Sequence, residues 1–292
     1  DLTLQEACNK WLIETGTVNG VDYSGISINK YSPEEAFSII RHKLDLRSEN
    51  LTELIHELGP YYPIHKYTAQ EALNKKNAVL VPYSLSFDGV NDYVDTGNWF
   101  VPGINNFTLS CWAYSADWSG DDDVMIWYGD ATSGGGLWTA LTLASSRIEF
   151  SVDDNSTKRV AQSGTLSGSG WKHIVGVRDV GTTIKLYIDG SEIASTTDDG
   201  NTITNTAVVT TYIGVGSNNG SRFDYFSGNI CNAGVWTSVL TAAQIKSIMY
   251  KDYSGLTTSE KTNLVSWWDL DVLHVDGSTV VDSHGSNNGT LT

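Results

Sequence analysis

Hydrophobic and polar positions alternate with a period of two through residues 171–196. Trp171, His173, Val175 and Val177 interleave with Lys172, Ile174, Gly176 and Arg178, and Ile184, Leu186 and Ile188 interleave with Lys185, Tyr187 and Asp189. That period gives each strand two unlike faces. Turns are spelled by Asp179–Val180–Gly181–Thr182 and by Asp189–Gly190, the second a strong hairpin signal because glycine takes positive φ at little cost. The pattern predicts three consecutive antiparallel strands with one buried face. The same period marks 84–88, 92–96, 107–114, 124–128, 137–143, 147–152, 159–163, 208–215, 223–226 and 229–236. So many short strands predict a mainly β, two-sheet antiparallel sandwich. One late helix is expected: Thr241-x-x-Gln244 is a capping box, Leu240 can staple to Ile245, and Ile248 and Met249 continue the apolar face.

Residues 1–80 follow the helical period instead. Thr3-x-x-Glu6 precedes Leu4, Ala7, Cys8, Trp11 and Leu12; Ser32–Pro33–Glu34–Glu35 precedes Ala36, Phe37, Ile40 and Leu44; Asn50-x-x-Glu53 opens a short segment that Gly59–Pro60 stops. Thr68-x-x-Glu71 is a candidate fourth start, and 17–31 reads as a β-like or irregular insert. The expected division is a small helical N-terminal attachment module, 1–82, and a sandwich domain, 83–292. So small a module is marginal alone and leans on a neighbour.

Composition narrows the partners. Lys plus Arg is 18 against 34 for Asp plus Glu, a formal charge of −16. Phosphate backbones and anionic lipid surfaces attract the opposite sign, so no nucleic acid is expected as a partner. No apolar run approaches the roughly 18 residues of a membrane span, so no membrane insertion is expected. The chain starts at Asp1 with no visible signal peptide, so an upstream piece is expected to be removed or not included. Three scattered cysteines, Cys8, Cys111 and Cys231, suit neither a disulfide scaffold nor a zinc site and read as buried hydrophobes. Cys111 alternates with Leu109 and Phe107, and Cys231 with Ala233 and Val235, so both are expected to point into apolar surroundings.

Six segments carry a resemblance: LSFDGVNDYVDTG (85–97), NFTLSCWAY (106–114), WKHIVGVRDVGTTIKLYIDG (171–190), FSGNICNAGVW (226–236), LTAAQIKSIMY (240–250) and NLVSWWDLD…DSHGSNNGTLT (263–292). In order and spacing they resemble the successive motifs of laminin-G-like, concanavalin A-like lectin and glucanase jelly rolls, over residues 83–292. The resemblance implies a jelly roll but no particular activity, since this fold hosts lectins, adhesion modules, glycosidases and spacers. The C-terminal SWWDLD…NNGTLT segment is similar to laminin-G-like domains of tailed-phage virion proteins. It implies a non-enzymatic virion surface protein (decoration, fibre or receptor-binding) whose jelly roll contacts glycans or a host surface. Residues 1–82 would then dock to other virion proteins. The alternatives are an extracellular, secreted or cell-surface glycan-binding module or glycoside hydrolase, and a purely structural capsid decoration protein. In many relatives the LV-x-x-W-x-L-D…NNGT stretch opens the domain, whereas here it closes the chain. Either it folds back, with Val265, Trp267 and Leu270 filling the edge beside 84–88, or it completes a neighbouring copy in a homo-oligomer. The short 252–262 linker favours folding back.

Candidate chemistry is modest. Jelly-roll glucanases carry carboxylates on alternate residues of one strand, since two must flank the glycosidic bond. No E-x-D-x-E pattern occurs, and Glu149 and Asp153 read as solvent-facing strand positions, so no catalytic residue is assigned. Calcium is the cofactor that the acidic loops at Asp117, Asp121, Asp122 and Asp123, and at Asp153, Asp154, Asp198 and Asp199, could suit. The resemblance places calcium at a G-x-I-D-E pattern, which reads here Gly228–Asn229–Ile230–Cys231–Asn232, without either acid. A sugar platform needs an exposed aromatic ring beside carboxylate, amide or guanidinium groups. The loop-borne candidates are Trp118, Asp121, Asp122, Trp138, Asn218, Asn219, Arg222 and Tyr225, whereas Trp112, Trp127, Trp171, Trp236, Trp267 and Trp268 read as core. His173, on an apolar strand face, reads as a hydrogen-bonded core histidine. Because the sandwich has its own pattern, a fragment from Pro82 onward should melt cooperatively. Aggregation of that fragment beside a soluble full chain would contradict the two-module division.

Overall fold

The computed structural model describes residues 84–97, 102, 103, 105–120, 122–130, 137–203, 210–218, 220–249, 251–271 and 274–292, and the short strands 17–18 and 21–22. The chain divides into two compact units, Asp1–Val81 and Pro82–Thr292. In the first, β1 (Thr17–Val18) and β2 (Val21–Asp22) pair antiparallel. The helices expected in 1–80, and Cys8, lie outside the described residues.

The second unit is a two-sheet sandwich. Its strands are β3 (Leu85–Asp88), β4 (Val94–Asp95), β5 (Phe107–Ser115), β6 (Asp123–Asp130), β7 (Leu137–Ala144), β8 (Arg147–Asp154) and β9 (Lys158–Gln162). Then follow β10 (Gly170–Asp179), β11 (Thr183–Ile188), β12 (Ser191–Thr197), β13 (Thr211–Ile213), β14 (Gly216–Asn218), β15 (Ser221–Phe223) and β16 (Ser227–Trp236). After the helix α1 (Ala242–Ile248) come β17 (Leu264–Trp268), β18 (Val275–Asp276), β19 (Thr279–Val280) and β20 (Gly289–Leu291). The first sheet has the order β12-β11-β10-β5-β16-β17, with β3 also on β16; the second has β18-β19-β20-β4-β13-β6-β7-β8-β9. Phe107, Leu109, Ile174, Ile184, Leu186 and Val235 of the first meet Ile126, Leu141, Ile148, Phe150 and Val152 of the second in one core.

The expected single buried face of the first sheet becomes two. Ile174 faces the sandwich core, while Val175, Val177 and Tyr187 on the opposite face pack against Leu240, Ile245 and Ile248 around α1. The helix begins where the sequence predicts: Thr241 Oγ1 accepts from the Gln244 N–H and the Gln244 side chain returns to the Thr241 N–H. It covers apolar strand positions that would otherwise face water, worth about 25 cal/mol for each Å² of apolar surface removed.

Both cysteines lie in apolar surroundings, and one bulge in β16 decides the face that Cys231 takes. Cys231 pairs with Trp112 but Gly234 with Ser110, so one extra residue is accommodated, with Asn232 at φ 50°. Ala233 and Val235 therefore point into the sandwich, while Cys231 turns to the opposite face against Trp112 and Met249. Both Cys111 and Cys231 are free and buried, and desolvation pushes each thiol up. His173, also buried, bonds Ser110 Oγ through Nε2 at 3.0 Å, and desolvation holds its pKa down at about 3.

The C-terminal segment folds back within the chain. β3 pairs with Ser227–Ile230 of β16 and β17 with Ala233–Trp236, so the two lie end to end along one edge. Leu270 enters the sandwich core as expected, but Trp268 joins it there instead of Trp267, which faces the helix side. β20 then crosses to pair with β4 in the second sheet. Asp282 clasps this crossing by accepting the backbone N–H of Trp267, His284, Gly285 and Asn287 at 3.0 Å each.

The acids at 154, 198 and 199 serve arginines. Fully buried Arg178 reaches both Asp198 oxygens at 3.2 Å and the carbonyls of Gly103 and Asn201. Arg159 bridges Asp154, at 2.5 Å, and Asp199. Burial pushes Asp154 up, but hydrogen bonds from Ser156, Arg159 and Thr157 outweigh it and hold the carboxyl well below its usual range. Removing one partner of a buried pair strands the other charge, so Asp198→Ala should cost about 3–5 kcal/mol in urea denaturation. A loss below about 1 kcal/mol would show the network to be solvated.

Candidate functional site

The sequence-predicted site residues fall into three groups. Trp118 is only 1% exposed, lies in the sandwich core and donates its indole N–H to the Gly170 carbonyl at 2.9 Å. It cannot offer a ring face to a ligand, which corrects the expectation: the loop that carries it folds inward because its own N–H bonds Gly168. Asp121 and Asn219 lie outside the described residues. Asp122 and Asn218 are exposed, and Trp138, Arg222 and Tyr225 are half-buried.

The last three sit along one aromatic strip on the outer face of the second sheet. Val124, Trp127, Tyr212 and Val215 form its buried base, with Tyr93, Trp138, Phe223 and Tyr225 packed against them. A register shift in β6 creates it: Val124 pairs with Thr142 and Ile126 with Leu141, so Met125 and Ile126 both enter the core and Trp127 turns outward. Trp127, expected in the sandwich core, is thus buried on the opposite face.

At one end of the strip Arg222 is a strut. Its guanidinium lies 4.1 Å from the Tyr212 ring centroid and 5.5 Å from that of Tyr93. It also donates to Tyr212 Oη at 2.6 Å and Ser217 Oγ at 3.2 Å, pinning the β14–β15 hairpin to the sheet. Tyr225 meets Tyr93 with centroids 6.4 Å apart.

At the other end the surface opens into a groove of about 240 Å³ whose lining includes Asp122, Asp123, Trp138, Glu149, Lys158 and Asp224. Trp138 stacks on Trp127 with centroids 4.7 Å apart and planes 14° from parallel, and Phe223 stands edge-on to Trp127 at 5.3 Å. Two glycines allow these approaches. A Cβ at Gly216 would meet the Phe223 ring at 2.6 Å, and one at Gly129, where φ is 111°, would stand 2.2 Å from the Leu137 carbonyl beside Trp138. Lys158 Nζ lies 5.2 Å from the Trp138 ring centroid and 3.8 Å from Glu149. From Trp138 to Thr142 the groove follows β7 for about 14 Å at the strand rise.

Its acidic end is held in unusual backbone. Asp122 and Asp224 take φ of 58° and 52°, a region that aspartate tolerates better than most residues, and the Asp224 carbonyl accepts from Val124 N–H at 3.0 Å. Burial, reinforced by Asp224 and Asp122 and only partly offset by the Ser227 N–H, pushes Asp123 up to about 6. Burial and Asp122 push Asp224 up to about 6 as well. Sequence reading left out Trp127, Phe223, Lys158 and Asp224 as ligand contacts, and read Asp123 and Glu149 for other chemistry. The Ser145–Ser146 turn is the signal that could have found part of this, because it fixes Trp138 opposite Asp153 and Thr142 opposite Glu149.

The calcium expectation does not fit these residues. Among the described residues no cluster of three His, Cys, Asp or Glu could hold a metal, and Asp154, Asp198 and Asp199 are engaged by arginines.

Residues 88–246, over half the chain, match the concanavalin A-like lectin/glucanases superfamily. The chain belongs to that superfamily. No curated protein matches the chain. Among solved structures it is similar to a provisionally designated carbohydrate-binding protein of Bacteroides ovatus, at 18% identity and TM-score 0.55, covering 72% of this chain. The chain spans just over half, 57%, of that protein. Weaker similarities are to Ruminococcus gnavus IT-sialidase CBM40 bound to α2,3-sialyllactose (14% identity, TM-score 0.48, 57% of this chain and 97% of that one) and to a heptameric SAP-like pentraxin of Limulus polyphemus (16%, 0.44, 57% and 81%). At these identities the likeness is one of fold.

The groove carboxylates give the superfamily domain a signed pH dependence. With folded pKa values near 6, above the ordinary 3.8, the folded state binds more protons than the unfolded one between about pH 4 and 6. Their contribution is therefore fully favourable below about pH 4 and is lost as pH rises through 6. Asp123→Asn should raise the melting temperature at about pH 7.5 and leave it near the parent's at pH 4. An equal shift at both pH values would refute the cause.

Proposed function

We propose that the sandwich is a non-catalytic glycan-binding module whose ligand lies in the groove beside Trp138. The observation that carries this reading is the stacked Trp138–Trp127 pair set next to carboxylates and an ammonium, an apolar wall with polar groups converging on it. Stacking on Trp127 holds the Trp138 ring, so little side-chain freedom is lost when a sugar packs against it. Membership of a superfamily that includes lectins supports the reading.

Within it, the phage-like order of the C-terminal motifs favours a virion surface protein, with residues 1–82 docking to other virion proteins and the sandwich turned to a host surface. Among the described residues no helix is long and apolar enough to cross a membrane. Of the candidates Asn218, Arg222 and Tyr225, we assign Arg222 to holding the hairpin and Tyr225 to packing on Tyr93. The ligand contact passes to Trp138 and the acidic end.

A glycoside hydrolase is the second reading, favoured by Asp123 and Asp224, because a carboxyl with a pKa near 6 suits a general acid. Reducing-sugar release from a glycan that the protein retains would establish it. For binding, Trp138→Ala should weaken retention on a glycan array about tenfold or more while moving the melting temperature only a few degrees. Trp118→Ala, by contrast, should cost about 3–5 kcal/mol of stability. Unchanged retention by the Trp138→Ala variant would remove the groove from the reading.

A further inference from the structure

The charged groups of the groove are unevenly matched. Asp122 and Asp123 enter from β6 and the turn before it, Asp224 from the turn after β15, and Glu149 from β8. Against these four carboxylates stands Lys158 of β9, which is already paired with Glu149 at 3.8 Å and lies over the Trp138 ring. The β7 lining, Trp138, Thr142, Leu143 and Ala144, is uncharged, and the Ser227 backbone N–H donates to Asp123. A ligand seated on Trp138 therefore meets acceptors at the far end of the groove and, among the described residues, no unengaged cation.

Resting on the reading of this groove as a glycan site, we infer that it selects sugars bearing a free amine, with the ammonium at Asp123 and Asp224, and rejects acidic sugars. Both carboxylates lose hydration on burial and have no cationic partner among the described residues, so an ammonium between them supplies the missing charge and donates hydrogen bonds to both. A sialic or uronic acid would add a like charge where Asp122 and Asp224 already raise Asp123, and Asp122 raises Asp224. The chain's charge of −16 opposes acidic ligands at longer range as well. The preference should fade as Asp123 and Asp224 take up protons below about pH 6.

The test is calorimetry on the full chain with glucosamine oligomers, their N-acetylated counterparts, oligogalacturonate and sialyllactose. At about pH 7.5 the free-amine oligomer should bind about fivefold or more tighter than its N-acetylated form, and the acidic sugars should not bind measurably. At about pH 5 that ratio should fall at least about threefold. The Asp123→Asn/Asp224→Asn double variant should keep the N-acetylated ligand and lose the ratio. Trp138→Ala, which leaves the protein's charge intact, should lose the free-amine oligomer. Binding of oligogalacturonate or sialyllactose as tight as that of the amine overturns the inference while leaving the glycan reading standing. So does a ratio unchanged in the double variant. Amine binding that survives Trp138→Ala also overturns it, since attraction would then be to general charge. If no sugar of any class binds, the glycan reading itself fails.

Discussion

The pairing of β16 with two partners on one edge is the constraint on which the rest depends. Ser227–Ile230 takes β3 and Ala233–Trp236 takes β17, so a strand near the start of the sandwich and one near the end of the chain share one row of backbone donors and acceptors. Left open, that row would invite association with another chain. Filling it brings Trp268 and Leu270 into the core and carries the chain across to β20 on β4. The bulge at Asn232 falls where one partner gives way to the other, and its N–H is taken by the Asp269 carbonyl. The chain after β17 thus adds one more covalent crossing to those that already join the two packed sheets.

Burial on both faces follows for the first sheet. With α1 and the chain around Leu256 and Leu264 on one side and the second sheet on the other, β10 and β5 are shielded from water on both sides. The second sheet differs because, among the described residues, its outer face carries the β14–β15 hairpin, pinned through Arg222. Where that cover stops, Trp138 and the acids of the groove remain accessible. The position of the candidate site is a consequence of unequal covering: one sheet has a helical layer, the other a short hairpin.

Within the groove, burial and charge pull in opposite directions. Asp123 and Asp224 are desolvated with no cationic partner among the described residues and are easier to keep folded when protonated. Arg178 and Asp198, buried more completely, satisfy one another and several carbonyls besides. The same residue types therefore meet two fates, an arginine and acid network that closes the sandwich and a partly buried acidic pair whose carboxyls burial pushes up.

Much of this was legible in the sequence because the signals are local. Alternation in 171–188, the Asp189–Gly190 turn and the Thr241/Gln244 capping box each depend on residues within a few positions, and β10, β11 and α1 form where they predict. Motif order carried the fold class. What the tertiary structure decided lies where one residue shifts the phase. The irregularities at Val124–Ile126 and Cys231–Gly234 turn Trp127 outward and separate Cys231 from Ala233, and alternation read along one strand cannot reveal an extra residue accommodated against another. The inward fold of Trp118, the gathering of Asp154, Asp198 and Asp199 around arginines, and the meeting of Asp123 with Asp224 join residues distant in sequence. Their surroundings, hence their charge and chemistry, are set by burial and by neighbours that only the packed sheets bring together.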